Sequence, residues 1–226
     1  MIVPEFHERL LSWATAEPRK EELLAARRVH FEAYGEPHEE DRSFEPRVNG
    51  MLDFYLYDWR PTAGAPTVLE RFLEAQAAML SPEEIAAYRD LARSVHGLFE
   101  VRKLHEGGVR LRDVFTDVDH DVTERRQLAG LGKGDLLEAR LLPHGDALHF
   151  SGGFIYHPPE ARKTIMAEVK RLRKQAGKGG TPDVPPFLAQ LSRMAFKLER
   201  YRNVRLESIY DFSPEARTMT PRPGHG

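Results

Sequence analysis

The chain of 226 residues contains no cysteine. Disulfides, thiolate metal sites and cysteine nucleophiles are thereby excluded together. Long apolar runs are missing too. No stretch approaches the roughly 18 apolar residues of a membrane span. Residues 1–20 carry charges throughout, where a signal peptide would be apolar. The expectation is a cytoplasmic protein with no membrane contact. The common catalytic motifs are also absent. Gly132-Lys133 is followed by Gly134 and lacks the upstream glycine of a phosphate-binding loop. Ser151 lies in His149-Phe150-Ser151-Gly152-Gly153, without the first glycine of a nucleophile elbow. Neither the His-Glu-x-x-His of zinc hydrolases nor the Glu-x-x-His of di-iron bundles occurs. No internal repeat is visible.

What is present suits one large domain or two small ones. Hydrophobic residues make up 41% and charged residues 30%, enough for a core and against wholesale disorder. Net charge is −2 but unevenly placed. Residues 1–120 hold 15 Lys and Arg against 23 Asp and Glu, and residues 121–226 hold 18 against 12. An acidic half and a basic half either attract each other or face different partners.

The first part of the chain reads as helices. Residues 4–16 form one. Residues 18–34 form a second, opened by Pro18 and ended by Gly35. The acidic stretch 36–46 reads as a loop. Residues 48–59 are dense in aromatics, with Met51, Leu52, Tyr55 and Leu56 at helical spacing, though a strand remains open; so many rings read as core before they read as a ligand box. A linker at 61–66 precedes a helix at 67–80, set by the spacing of Val68, Leu69, Phe72 and Leu73. Ser81-Pro82-Glu83-Glu84 then opens a helix running to 96, with a capping box and proline at the first helical position.

Between 98 and 158 the pattern changes. Five short strand-like runs, at 98–104, 109–115, 121–128, 135–142 and 147–156, are separated by Gly- and Asp-rich turns. Val109, Leu111 and Asp113 share one face of their run, while Arg110 and Arg112 point to the other. Helices are predicted again at 158–176 and 186–202, joined by the Gly- and Pro-rich 177–186 with Lys178. A further strand at 206–212 and a disordered tail at 213–226 follow. The fold class is α+β: an N-terminal helical region (1–96), a central small antiparallel β-barrel of the SH3 or OB kind (97–158), and C-terminal helices (159–212).

Three segments carry a resemblance. They are Arg112-Asp113-Val114-Phe115-Thr116, Gly134-Asp135 continuing through Leu136-Leu137-Glu138-Ala139-Arg140-Leu141-Leu142, and Leu148-His149-Phe150-Ser151-Gly152-Gly153. Their order resembles an uncharacterised bacterial domain family in which an aromatic-rich helical segment precedes a small β-barrel. The resemblance spans roughly residues 48–159. Thr116-Asp117 stands where that family usually has Thr-Gly. The resemblance implies a fold and no activity.

Two groups of residues are candidates for function. The first is acidic: Asp117, Asp119, His120 and Asp121, with His144, Asp146 and His149 at a later turn. Carboxylate and imidazole ligands suit Zn, Mn or Fe where three converge, which would support a metal-dependent hydrolase. Asp is also favoured at turns because it caps its own backbone, so the expectation is no metal and no cofactor. The second is basic. Lys163, Lys170 and Lys174 share an arc of the helix after the barrel, and Arg193, Lys197 and Arg200 form an i, i+4, i+7 stripe on the last long helix. Residues 161–205 hold 12 basic residues against Glu168, Asp183 and Glu199. The leading expectation is a non-enzymatic interaction or regulatory protein that engages a protein partner, or a second copy of itself, through this surface. The alternative is nucleic-acid binding there, because basic stripes neutralise phosphates without reading sequence.

Overall fold

The computed structural model describes residues 4–124, 130–177, 179–201 and 203–213. The end of the third predicted strand (125–128), Lys178 and the predicted tail beyond Ser213 lie outside the described residues.

Among the described residues, eight α-helices and five strands are arranged as an α+β fold. Helices α1 (Pro4–Ala14), α2 (Lys20–Tyr34), α3 (Phe44–Tyr57), α4 (Val68–Gln76) and α5 (Pro82–Leu91) come first. The aromatic segment is thus a helix. Its first three residues, Phe44, Glu45 and Pro46, fall in the stretch read as loop. Both α4 and α5 begin on full capping boxes. Thr67 and Ser81 each accept from the backbone three residues on, where Glu70 and Glu84 reach back. Helix α5 stops at Leu91, before the predicted 96, and Val95 already begins the sheet. One apolar cluster, including Leu10, Tyr55, Leu56, Leu69, Phe72 and Tyr88, holds these helices together.

The strands are β1 (Val95–His105), β2 (Gly108–Asp113), β3 (Asp119–Thr123), β4 (Leu136–His144) and β5 (Ala147–His157). They close in the order β1-β2-β3-β5-β4. The sheet is mixed and not antiparallel as expected, because β3 and β5 run parallel. All other neighbouring pairs are antiparallel. Parity forces this: strands cannot alternate in direction around a closed ring of odd number, so one seam must be parallel. Phe99, Val101, Val109, Leu111, Val122, Leu137, Leu141 and Phe150 fill the interior.

Helices α6 (Arg162–Ala176), α7 (Val184–Arg200) and α8 (Leu206–Ile209) complete the chain. The predicted last strand is therefore a short helix. A closed sheet offers no free edge for another strand, and Ile209, Tyr210 and Phe212 instead pack with Ile165, Phe187 and Leu191 in a third cluster.

Strand β4 links the three clusters. Leu137, Ala139 and Leu141 point into the barrel. On the other face, Leu136 joins the C-terminal cluster and Leu142 the N-terminal one. Between those two leucines stand Glu138 and Arg140, each only 4% exposed. Helices cover this outer wall, so both faces of the strand are buried.

Candidate functional site

Where α2, α3 and α7 meet the outer wall of β4 and β5, they leave a cavity of about 470 Å³. Much of its lining is apolar, including Val29, Phe31, Phe54, Ile155 and Leu188. His30, Arg47, Asp53, His96, Glu138 and Arg140 also line it. Each of these arrives for a local reason. Glu138 and Arg140 are alternate residues of one strand and so share a face. His96 is the cross-strand partner of Arg140 in the β1–β4 register. Asp53 and Arg47 project from α3, and His30 from α2.

A hydrogen-bonded network holds part of this set. His96 Nε2 lies 3.1 Å from Glu138 Oε1. Arg140 donates to Ser94 Oγ at 2.9 Å and to the Asp58 carboxylate. Arg47 donates to the Ser192 hydroxyl at 2.8 Å and the Ser192 carbonyl at 3.0 Å, with its guanidinium over the Phe196 ring. His30 stacks on Tyr34 at 4.4 Å between ring centroids. Burial, reinforced by the positive field of His96, Arg47 and Arg140, pushes the His30 pKa down to about 3. Burial pushes the Asp53 carboxyl up, and Arg140 and a Ser151 hydrogen bond offset this in part.

The network is incomplete. Six buried side-chain polar atoms among the described residues lack a hydrogen-bond partner, and four belong to side chains lining this cavity: His30 Nδ1, Asp53 Oδ2, Glu138 Oε2 and Arg140 Nε. A buried unsatisfied polar group costs about 1–3 kcal/mol. Four around one void are a local concentration of that cost.

The backbone is also shaped around the void. Ala139 pairs with Phe154 and Leu141 with Phe150, so Ser151, Gly152 and Gly153 bulge opposite Arg140. Such bulges re-aim side chains and are over-represented beside active sites. The two glycines let α3 lie directly on β5. A Cβ on Gly153 would stand 2.9 Å from Gly50 Cα, and one on Gly152 would stand 2.6 Å from Asn49 Nδ2. Gly50 is different. It lines the cavity, and a Cβ there would meet nothing within 4 Å. A mid-helix glycine costs about 1 kcal/mol against alanine, and no neighbour demands it.

The residues singled out from sequence lie elsewhere. Asp119 pairs with Arg112 at 2.8 Å and Asp121 with Arg110 at 2.9 Å, as cross-strand pairs. Asp117 pairs with Arg173 of α6. The Asp117, Asp119 and Asp121 carboxyls are held below the usual range chiefly by hydrogen bonds from those arginines. His120 sits edge-on to Phe99, and His144 packs near Phe6. Among the described residues no three His, Asp or Glu side chains converge on a metal-sized site. The basic stripe on α7 is divided. Arg193 donates to the Glu32 carbonyl at 2.6 Å, and Arg200 pairs with Asp41 at 2.8 Å. Hydrogen bonding from Arg200 takes the Asp41 pKa down to about 2. Lys163, Lys170 and Lys174 on α6, and Lys197 on α7, are exposed.

Sequence reasoning passed over the cavity residues. His30, Asp53 and His96 are isolated in sequence, and Glu138-Ala139-Arg140 reads as ordinary strand alternation. The one legible signal was a pair of opposite charges inside an otherwise apolar strand.

No curated protein and no solved structure matches the chain. A family model matches residues 14–193, which include every residue lining the cavity and stop short of Lys197 and Arg200. The chain belongs to a family of unknown function (DUF7986).

Proposed function

We propose that the chain binds a small molecule in the cavity between α2, α3, α7 and the outer wall of β4 and β5. One observation carries this reading: four buried polar atoms without partners belong to side chains lining one largely apolar void. Ligand pockets run to roughly 300–1,000 Å³ and combine apolar walls with a few placed polar groups. The cavity has that size and that composition. The open space over Gly50 and the bulge opposite Arg140 support the same site. Its occupant is a small amphipathic molecule with its apolar body against Val29, Phe54 and Leu188 and its polar end at Glu138, Arg140 and Asp53. The test is a ligand-observed NMR screen of a fragment library against the full chain and against Gly50→Phe, which adds a ring at a cavity-lining position where a Cβ meets nothing within 4 Å. Fragments that bind the wild type and not the variant are expected. A library with no such fragment refutes the reading.

A second reading keeps the basic surface. Lys163, Lys170, Lys174 and Lys197 are exposed, and none has an ion pair among the described residues. We propose a protein partner, or a second copy of the chain, in the cytoplasm as the occupant of this surface. Nucleic acid is the alternative. We read the closed sheet as a small barrel of the OB kind, in which the face of strands 2 and 3 holds oligonucleotides. Here Arg110 and Arg112 on that face are already paired with Asp121 and Asp119, which favours protein. Titration with random DNA and RNA at two salt concentrations separates them. Phosphate contacts weaken steeply with salt, and Lys170→Ala with Lys174→Ala flattens that slope.

No helix among the described residues is long and apolar enough to cross a membrane.

A further inference from the structure

We propose, resting on the reading of the cavity as a ligand site, that His96 is a catalytic base oriented by Glu138, and that it moves a proton on the carbon beside a carbonyl group. Three placements carry this. First, His96 Nε2 meets Glu138 Oε1 at 3.1 Å. In the tautomer in which Nε2 donates to this carboxyl oxygen, Nδ1 carries the lone pair. Second, the two partners differ in access. The Glu138 side chain is 5% exposed and the His96 side chain 28%, and His96 lines the cavity. No hydrogen bond engages Nδ1 among the described residues. A buried carboxylate behind a reachable imidazole is the arrangement that fixes a base in one tautomer and stabilises its protonated form. Third, Arg140 is the direct cross-strand neighbour of His96 and lines the same cavity, with its guanidinium held in place by Ser94 and Asp58.

These placements fit one class of step. A base beside a fixed cation suits a reaction that takes a proton from carbon and leaves negative charge on a nearby oxygen. The C–H proton passes to His96 Nδ1. The bonding pair passes into the carbonyl, and the enolate oxygen faces Arg140. The imidazolium is neutralised by Glu138. The imidazolium proton exchanges with water, and a proton then returns to the same carbon, giving exchange with solvent or inversion at that carbon. No oxidant, reductant or second substrate is required. The apolar walls suit a carbonyl compound with a hydrocarbon body. Asp53, whose carboxyl is pushed up by burial, lines the same cavity on the α3 side. His96 is the residue that touches substrate; Glu138 acts through it as a positioning residue.

The experiment uses the full chain in deuterated water with cyclohexanone and phenylacetone as probes. Proton NMR follows the loss of the α-proton signals, and saturation transfer reports binding of the same probes. Wild type is expected to speed the exchange by about a hundredfold or more over buffer, the lower range of general base catalysis. His96→Ala and Gly50→Phe should return it to the buffer rate. Glu138→Gln should lower the maximal rate under conditions where saturation transfer still reports bound probe. It should also change the ¹⁵N shifts of His96 from a single tautomer to a mixture, which a merely structural role would not do. Probes that bind without accelerated exchange overturn this inference and leave the cavity reading standing. The same holds if ketones fail to bind while other fragments do. A chain for which neither ketones nor library fragments bind overturns both.

Discussion

Lowering the pH from about 7 to about 5 should destabilise the fold through two buried imidazoles. His157, 4% exposed, closes β5, with Nδ1 3.1 Å from Tyr210 Oη and Nε2 unpartnered. His30, 7% exposed, stacks on Tyr34 beside the cavity. Burial first, and then nearby positive charge (His96, Arg47 and Arg140 for His30, Arg47 for His157), take each pKa from the ordinary 6.5 down to about 3. The sign follows from that direction. The unfolded chain takes up the proton first as the pH falls, so the stabilising effect is whole above about 6.5 and is lost progressively between 6.5 and about 3. For one such group, linkage gives a loss of roughly 2 kcal/mol between pH 7 and pH 5. Two groups give about 4 kcal/mol, a large share of the typical 5–15 kcal/mol of a folded domain. Urea unfolding followed by the fluorescence of Trp13 and Trp59 at both pH values measures it. His7 shifts in the same direction, so the controlled quantity is the difference between wild type and His157→Gln, whose amide can keep the Tyr210 contact. The variant should lose about 2 kcal/mol less than wild type over this interval. An identical pH dependence in the two proteins refutes the argument.

Two further substitutions test the construction of the fold. Ser81→Ala removes the cap that accepts from the Glu84 backbone and should cost about 0.5–2 kcal/mol, seen as a lower urea midpoint with an unchanged slope. Gly153→Ala drives a Cβ to 2.9 Å from the backbone of Gly50. Pushing α3 off β5 should cost about 1–3 kcal/mol in the same assay.

How much of this was legible in the sequence depended on how local the cause was. The capping boxes at Thr67 and Ser81 are four-residue devices, and both helices start where those residues stand. The turns between strands are equally local, so the run of five strands emerged with boundaries off by at most three residues, apart from the end of the third, which was read to 128 where β3 stops at Thr123. The direction of pairing did not, although it needed no structure: five strands in a closed ring require a parallel seam. Leu206–Ile209 was missed because so short a segment, with apolar residues at Leu206, Ile209, Tyr210 and Phe212, suits a strand or a helix, and only the lack of a free sheet edge decides between them. The charged groups divide the same way. Carboxylates at 117–121 are visible as a cluster, yet each is spoken for by an arginine across a strand or from α6. The acidic loop and the basic α7 do meet, through Asp41 and Arg200, as the uneven charge of the two halves allowed. The cavity set is assembled from α2, α3, β1 and β4 by tertiary packing alone, and no window of sequence holds more than two of its polar members.

The buried pair on β4 provides a test of why the charges are there. If Glu138 and Arg140 served the fold, replacing both would be as harmful as replacing each. Buried charges seldom behave that way. Glu138 bonds to His96 and Arg140 to Asp58 rather than to each other, but each is the other's opposite charge on the same buried face, and loss of one leaves the other less compensated. Breaking a buried charge pair typically costs about 3–5 kcal/mol, whereas replacement of all the buried charges by apolar residues of similar volume is often neutral or stabilising by about 1–4 kcal/mol. Here the flanking positions of the same face, Leu136 and Leu142, are already apolar and packed in two clusters. Leucine at 138 and 140 would join them into one continuous wall. Of the groups left behind, Asp58 keeps 43% and His96 28% of its side chain exposed, so water can serve both. Glu138→Leu and Arg140→Leu should therefore each lower stability, and the double variant should recover to wild type or beyond. The same double variant should lose fragment binding in the cavity. Recovery of stability with loss of binding would mean the pair is kept for the ligand at the expense of the fold. A double variant as unstable as the sum of the single ones would show instead that the pair is structural, and would remove the main energetic argument for the site.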